Sequence, residues 1–234
     1  MDIISPRDIA LDQVTLELIS DVKKLAEQIN ERRPLPSDVM ENIEKELLGD
    51  RVYNSNAIEG NTLTLRETKL ILQTGSILDG GRKCEVTEAK NLGKAIAELQ
   101  RLIPDPSSWS DIQNFTSVHR ILLTDVKNEA AGRMRSERVM IASVKHQSPD
   151  PSTLDSLLQQ FFENLNTATD TNAIVVASWA HWCIARIHPF LDGNGRLARL
   201  WQDLILFGNK LTAAVIRQQD RTEYYEALES ADDG

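Results

Sequence analysis

Apolar residues recur at steps of three and four along most of the chain, the period of one helix face. Leu11, Val14, Leu18, Val22, Leu25 and Ile29 form the first such stripe, within residues 7–33, and Arg33-Pro34-Leu35-Pro36 ends it. Ser37 is expected to cap a second helix, with Asp38 and Glu41 in its first turn and Val39, Ile43 and Leu47 as its apolar face. That helix reaches toward residues 55–59, stops at Gly60-Asn61, and has Gly49 as a place to break. Thr64 and Glu67 form a capping box for a short helix through about Gln73. Residues 85–102 turn Val86, Ala89, Ile96 and Leu99 inward, and Pro104-Asp105-Pro106 follows as a linker. Ser110 and Gln113 repeat the capping pattern for a helix from Asp111 to about Leu123. Residues 154–165 are amphipathic through Leu157, Leu158 and Phe161, while 173–187 are apolar nearly all round and are expected to be the central buried helix. A last strongly apolar segment, 197–207, stops at Gly208.

One stretch breaks the helical period. Val139-Met140-Ile141 is a run of strand-forming residues, and residues 144–147 can pair with it across a turn at Ala142-Ser143. The other reading of 132–148 is an irregular loop. The pattern as a whole predicts an all-α fold carrying one β-hairpin.

A chain of 234 residues is long enough to bury a real core. Its 26 basic and 35 acidic residues give a net charge of −9, which argues against general nucleic-acid binding by this portion. No apolar run is long enough to span a bilayer and no N-terminal segment resembles a signal peptide. Cys84 and Cys183 are too few and too far apart for a disulfide framework. A soluble, cytoplasmic protein is expected, with no membrane partner.

The chemistry concentrates in HPFLDGNGRLAR, His188 to Arg199. Pro189 ends the preceding helix, and Gly193 and Gly195 let the backbone turn sharply into the next one near Asn194. The first amides of that helix lack partners and face its positive dipole end, which makes an anion site, usually for phosphate. Arg196 and Arg199 share one face of its first turns, where they can clamp phosphates. Asp192 suits a Mg²⁺ ligand beside a polyphosphate, and His188 at the mouth has the pKa range of a general base.

Every fixed position of this stretch matches the motif H-P-F-x-(D/E)-G-N-G-R-x-x-R, so the chain resembles the Fic family from about Ser37 onward. The resemblance implies a Fic-type helical domain that transfers AMP from ATP to a protein hydroxyl. In that scheme His188 is the base and Asp192 the Mg²⁺ ligand. Gly193, Asn194 and Gly195 form the anion hole, and Arg196 and Arg199 hold the outer phosphates. It divides the chain into an N-terminal helix (1–36), an inhibitory-helix region with connecting helices (37–107), and a Fic core (108–234) containing a flap (132–148) and the active-site loop (188–199). Gly132 and Arg135 fit the G-x-x-R that precedes the family's flap. The flap edge would dock an extended target segment, and Val139, Met140, Ile141 and Ala142 would border the nucleotide. Ser148-Pro149-Asp150-Pro151 replaces the family's usual double proline.

Ser55 and Glu59 lie four apart on one helix face just before Gly60. Sequence physics alone makes Glu59 a surface residue near a helix end. The resemblance reads Ser55 to Gly60 as the family's inhibitory (S/T)-x-x-x-E-(G/N), with Glu59 pairing with Arg199 in the place of the γ-phosphate. Tyr224 and Tyr225 either cap the core or, by resemblance to the family's R-x-x-Y-Y, line the adenosine pocket; Asp232 stands where close relatives carry Asn. His119 reads as a packing residue. His181, seven before His188, reads as a packed, hydrogen-bonded histidine rather than a metal ligand. The family runs on past this point, often into another helix and sometimes a winged-helix domain.

The first functional expectation is therefore autoinhibited protein adenylylation on Ser, Thr or Tyr, including self-modification, with ATP as co-substrate and Mg²⁺ as cofactor. The family also allows a homodimer. A second expectation reverses the chemistry, with Glu59 aligning a water that removes AMP. A third is a nucleotide-gated regulatory module with little transfer.

Overall fold

The structure, a computed structural model, describes residues 3–75, 82–139 and 147–232. The described residues form nine α-helices: α1 (Gln13–Glu31), α2 (Ser37–Ile58), α3 (Leu65–Thr74), α4 (Lys83–Leu102), α5 (Ile112–Leu123), α6 (Leu154–Thr167), α7 (Ala173–Ile187), α8 (Asn194–Gly208) and α9 (Arg221–Asp232). Among the described residues there is no sheet; an antiparallel bridge joins Met134 to Phe190. Residues 140–146 lie outside the described residues, and most of the expected hairpin falls there, including Met140, Ile141 and Ala142. At its edge, the Val139 N–H donates to Ser148 Oγ (3.1 Å), whose hydroxyl returns a bond to the Val139 carbonyl (2.7 Å).

The apolar α7 is the central helix, as its all-round pattern predicts, and it lies along α8. Their buried faces meet an aromatic cluster in which Phe115 sits edge-on to Trp201 at 4.9 Å and touches Phe162 and Phe190. Trp109 covers the end of α8. Its ring fills the space beside Gly208, where a Cβ would lie 2.1 Å from it, and its carbonyl accepts from Trp201 Nε1 (2.9 Å). The capping box at Thr64 and Glu67 forms as expected at the start of α3.

Several local expectations are corrected. Ser37 does not cap α2: Pro36 stands at the cap position and makes no side-chain bond. Gly49 does not break α2, whose ladder runs on while the Lys69 side chain lies against that glycine, 2.6 Å from where a Cβ would be. Asp111, not Ser110, caps α5, because its carboxylate reaches the Gln113 N–H at 2.7 Å. Asp12 caps α1 in the same way through Thr15 (2.7 Å), so the first helix begins at Gln13 rather than near residue 7, and Leu11 lies outside it.

The inner half of α2 is anchored by an ion pair across 152 residues of chain. Arg51 Nε and Nη2 donate to Asp203 Oδ2 at 2.9 and 2.6 Å, and both residues are buried. This pair fixes α2 against α8 and sets where the last turn of α2, with Ser55 and Glu59, meets the start of α8.

Candidate active site

Helix α7 ends at His188, whose backbone is left-handed (φ 49°, ψ 59°). Such a backbone is uncommon for a residue with a side chain, and Pro189 forbids further helix. Arg135 holds the bend. It is buried, and its Nε donates to the His188 carbonyl (2.7 Å) while Nη2 donates to Pro149 O (2.8 Å) and Nη1 to Glu137 O (2.8 Å). Its own N–H donates to Pro189 O at 3.0 Å. One guanidinium thus ties the end of α7 to both sides of the 140–146 segment.

The imidazole of His188 is partly buried, with Nδ1 3.2 Å from the Ala185 carbonyl. A carbonyl only accepts, so Nδ1 carries the hydrogen and Nε2 is the basic nitrogen. Burial holds this histidine below its usual pKa, outweighing the Ala185 bond, so it is neutral and able to accept a proton.

The loop from Phe190 to Asn194 is closed from within. Asn194 Oδ1 accepts from Phe190 N (3.0 Å) and Asn194 Nδ2 donates to Phe190 O (2.8 Å). The Asn194 side chain thus shapes the loop, and its backbone amide opens α8. Beneath the loop, the His119 ring stacks on Phe190 with centroids 3.6 Å apart. Its Nδ1 accepts from Gly132 N (3.0 Å), so Nε2 is the donor to the Asp192 carbonyl (2.8 Å). Gly193, at φ 79°, lies so close that a Cβ would be 3.2 Å from His119 Nε2. His119, expected to do no more than pack, bridges the flap base to the loop.

Gly195 opens α8, and a carboxylate lies against it. A Cβ on Gly195 would be 2.3 Å from Glu59 Oε1, which accepts from Arg199 Nη2 at 2.6 Å. Arg199 is buried and further held by Ser55, through Oγ to Nε (2.8 Å) and the carbonyl to Nη2 (2.9 Å). The carboxylate of α2 thus rests on the positive N-terminal end of α8, where sequence reasoning places an anion.

Behind Arg199 runs a polar chain invisible in the sequence. Arg199 Nη1 donates to Tyr224 Oη (3.4 Å), and that hydroxyl donates to His181 Nε2 (2.8 Å). His181 Nδ1 in turn donates to Gln202 Oε1 at 2.5 Å. His181 is buried and burial lowers its pKa to about 4, so it stays the neutral acceptor this chain needs. Tyr225 packs on Tyr224 with centroids 5.1 Å apart, so the Tyr pair borders the Arg199 end of the site.

At the other end, Asp192 is surrounded by donors. Oδ2 meets Lys127 Nζ, and Oδ1 accepts from Gly193 N (2.6 Å) and Arg196 Nη2 (3.2 Å). Burial alone would raise this carboxyl, but Lys127 and Arg196 outweigh it and leave its pKa below the ordinary value. Arg196 also pairs with Glu88 (3.1 Å), leaving its Nε as a buried atom without a partner. Among the described residues no cluster of three or more His, Cys, Asp or Glu side chains is placed to hold a metal. A single carboxylate still fits Mg²⁺, which binds through one or two carboxylates and completes its shell with phosphate oxygens and water. Asp192 has this form: a hard oxygen donor beside the α8 end, whose Oδ2 partner Lys127 is half exposed and free to withdraw.

The structure therefore brings His188, Asp192, Gly193, Gly195, Arg196, Arg199, Tyr224, Ser55 and Glu59 to one place. Lys127, Glu88, His119 and His181 complete it and were missed or set aside. No local motif marks them, since their partners lie 13 to 108 residues away. Among the described residues no helix is long and apolar enough to cross a membrane.

A family model described as Fic/DOC family matches residues 109–206. A protein adenylyltransferase Fic of Nematostella vectensis is 33% identical over 231 residues, covering 98% of this chain and 53% of its own length. One from Aedes aegypti is 29% identical, covering 95% of this chain and 46% of its own. The chain thus spans about half the length of the curated relatives it matches. Among solved structures, Fic-1 from C. elegans superposes with a TM-score of 0.83 at 28% identity, covering 94% of this chain and 65% of that one. A Fic-domain signaling protein from Bacteroides thetaiotaomicron gives a TM-score of 0.82 at 24% identity over 92% of this chain and 82% of its own, which bears on the fold alone.

Proposed function

Since residues 109–206 of this chain are a Fic/DOC family domain, we propose that the protein is an autoinhibited protein adenylyltransferase that moves AMP from ATP to a Ser, Thr or Tyr hydroxyl. The observation that carries this reading is the pairing of a neutral His188, its Nε2 basic, with an anion seat on α8 that Glu59 fills. The curated relatives that cover nearly the whole chain carry the name protein adenylyltransferase.

The triphosphate binds with its outer phosphates against Arg199 and Arg196 and its inner ones over the amides that open α8. The target hydroxyl oxygen attacks the α-phosphorus as its proton passes to His188 Nε2. The bond from the α-phosphorus to the bridging oxygen breaks in line, pyrophosphate leaves, and a phosphodiester joins AMP to the target. The amides and guanidinium groups stabilise the charge that develops on the phosphate oxygens. Mg²⁺, held by Asp192, would neutralise the α- and β-phosphate oxygens. Lys127 must leave Asp192 for that role. A target segment docks on the flap that follows Arg135, the residue that holds the His188 carbonyl, and the Tyr224–Tyr225 pair flanks the adenosine. The two free thiols, Cys84 and Cys183, suit a reducing cytoplasmic setting.

Glu59 is the brake. Its carboxylate takes the Arg199 contact that a terminal phosphate needs, so productive ATP binding requires α2 to release it. The test is mass spectrometry of the Glu59→Gly variant after incubation with each of the four triphosphates and Mg²⁺. Added AMP from ATP, lost again in a Glu59→Gly/His188→Ala double variant, supports the proposal. Absence of transfer from every triphosphate overturns it. Removal of AMP from a pre-modified target by the parent protein would reassign Glu59 to aligning water.

A further inference from the structure

His119 lies on α5, fully buried, and both of its ring nitrogens bond backbone groups from outside that helix. A residue needed only to fill the core would serve as well with an apolar ring. Here Nδ1 accepts from the Gly132 N–H (3.0 Å) and Nε2 donates to the Asp192 carbonyl (2.8 Å). The imidazole is rigid, so the two bonds fix Gly132 and Asp192 relative to one another. The ring is itself clamped, lying within 8° of parallel on the buried Phe190. At Gly132, φ is 70°, and a Cβ would lie 3.0 Å from both the Thr116 carbonyl and Arg120 Cβ, so this turn is pressed onto α5. Three residues further on, Arg135 donates to the His188 carbonyl. Residues 132–135 therefore have two ties to the stretch before α8. Arg135 holds the residue that takes the hydroxyl proton, and His119 holds the residue that suits the metal.

The Asp192 carbonyl matters because of what shares its peptide. That carbonyl and the Gly193 N–H belong to one planar unit. The N–H donates to Asp192 Oδ1 at 2.6 Å. Fixing the carbonyl therefore also sets the carboxylate that the N–H binds. Once Lys127 withdraws from Oδ2, this peptide and Arg196 are what keep the carboxylate in place. We propose that His119 is a positioning residue, holding the Asp192 carboxylate and the start of the flap in one fixed relation so that metal and target hydroxyl meet the α-phosphorus in register. The proposal rests on the adenylyl-transfer reading of the site. The two nitrogens divide the task. Without Nε2 the Asp192 carbonyl is left unpaired and the metal seat loosens. Without Nδ1 the Gly132 N–H is left unpaired and the flap base loosens. His188 keeps its own support from Arg135 and Ala185 in both cases.

Three substitutions in the full chain, each in a Glu59→Gly background, separate the two bonds from the packing. His119→Gln carries an amide nitrogen about where Nε2 lies and keeps the bond to Asp192. His119→Asn carries an amide oxygen about where Nδ1 lies and keeps the bond to Gly132. His119→Phe keeps the stack on Phe190 and loses both bonds. Mn²⁺ affinity in the presence of ATP, by electron paramagnetic resonance, reads Asp192. Hydrogen exchange of residues 132–139, by mass spectrometry, reads the flap base. His119→Gln is expected to hold Mn²⁺ within about twofold of its background while residues 132–139 exchange roughly two- to tenfold faster, the worth of one buried hydrogen bond. His119→Asn is expected to do the reverse, with Mn²⁺ binding weakened roughly two- to tenfold and exchange unchanged. His119→Phe is expected to move both and to lower AMP transfer about tenfold or more, with His119→Gln recovering part of it. Circular dichroism verifies that the helices are intact. Gln and Asn variants that move both readings alike, or a Phe variant that moves neither, overturn the proposal and leave the ring as core packing. A Glu59→Gly protein that binds no Mn²⁺ with ATP also overturns it, since Asp192 then seats no metal. One that binds Mn²⁺ but transfers no AMP defeats the proposed reaction instead, and the two binding and exchange readings still decide the role of His119.

Discussion

Replacing Glu59 by Gly removes the carboxylate from the start of α8 and leaves Arg199 with Ser55 and Tyr224 as partners. Arg199 is 7% exposed at its side chain and Glu59 32%, so the pair lies between a buried and a surface ion pair. Breaking a fully buried pair costs roughly 3–5 kcal/mol and an exposed one contributes roughly 0–1 kcal/mol. An intermediate value of about 2 kcal/mol follows for this one, and it has two consequences of opposite sign. Without nucleotide the variant is less stable by about that amount, because a buried guanidinium loses its counter-charge. With nucleotide it gains, because the same contact no longer opposes a terminal phosphate, and about 2 kcal/mol corresponds to roughly thirtyfold tighter ATP binding. Calorimetry with ATP and Mg²⁺ reads the second effect and urea unfolding with and without ATP reads the first. The diagnostic result is a variant less stable than the parent alone yet stabilised more strongly by ATP. Equal ATP affinity in parent and variant would refute the reasoning, since it would mean that Glu59 and the phosphates do not share Arg199.

The other predictions test separate parts of the site. His188→Ala is expected to abolish transfer while ATP binds within about twofold of the parent, because the imidazole meets the hydroxyl rather than the phosphates; transfer persisting in labelled-ATP assays would remove it as the base. Lys127→Met is expected to tighten Mn²⁺ binding in the presence of ATP by about two- to tenfold, read by electron paramagnetic resonance in a His188→Ala background. An exposed pair with Asp192 contributes only about 0.2–1 kcal/mol, and the loss of a neighbouring positive charge adds to it. Unchanged Mn²⁺ affinity would mean that Lys127 does not compete for that oxygen. His119 and His181 are both held down to about 4 by burial. The unfolded chain, with histidines near 6.5, therefore binds more protons between pH 6.5 and 4. Their contribution to stability is complete above 6.5 and is lost as pH falls through about 4, at about 2 kcal/mol per histidine between pH 7 and 5. Urea midpoints that do not fall across that range would contradict it. Gly208→Ala drives a methyl into the Trp109 ring at 2.1 Å and is expected to cost about 1–3 kcal/mol of unfolding free energy; a neutral result would show that the ring moves freely.

Local chemistry was readable where one element settles its own ends. Residues 173–187 could be assigned as a central helix because apolar side chains surround it and Pro189 stops it, and α7 has those bounds. The capping box at Thr64 and Glu67, the turn at Gly193 and the stop at Gly208 each depend on neighbours within a few residues. The loop before α8 belongs to the same class, since its turn at Gly193 and the unpartnered amides of a helix start follow from residues close in sequence. Competing local caps were harder: Asp111 and Ser110 both offer an oxygen to the same helix end, and geometry chose the carboxylate.

Relations between distant residues carried no such signature. Periodicity showed that α1 has an apolar face, but a stripe does not say whether the body covers it, and here Ile19 beside it is buried instead. Arg51 and Asp203 carry no local sign of their pairing, which folding makes across 152 positions. His119 lies between Val118 and Arg120 and His181 between Ala180 and Trp182, and their hydrogen-bond partners came from other helices, from the turn at Gly132 and from the loop before α8. The sequence could name the groups able to bind a phosphate because backbone turns and helix ends are short-range consequences of residue type. Which carboxylate fills that seat, and which cations crowd Asp192, depends on how α2, α4 and the residues after α5 dock on α8. Docking is set by the summed packing of a shared core, a property no single segment holds.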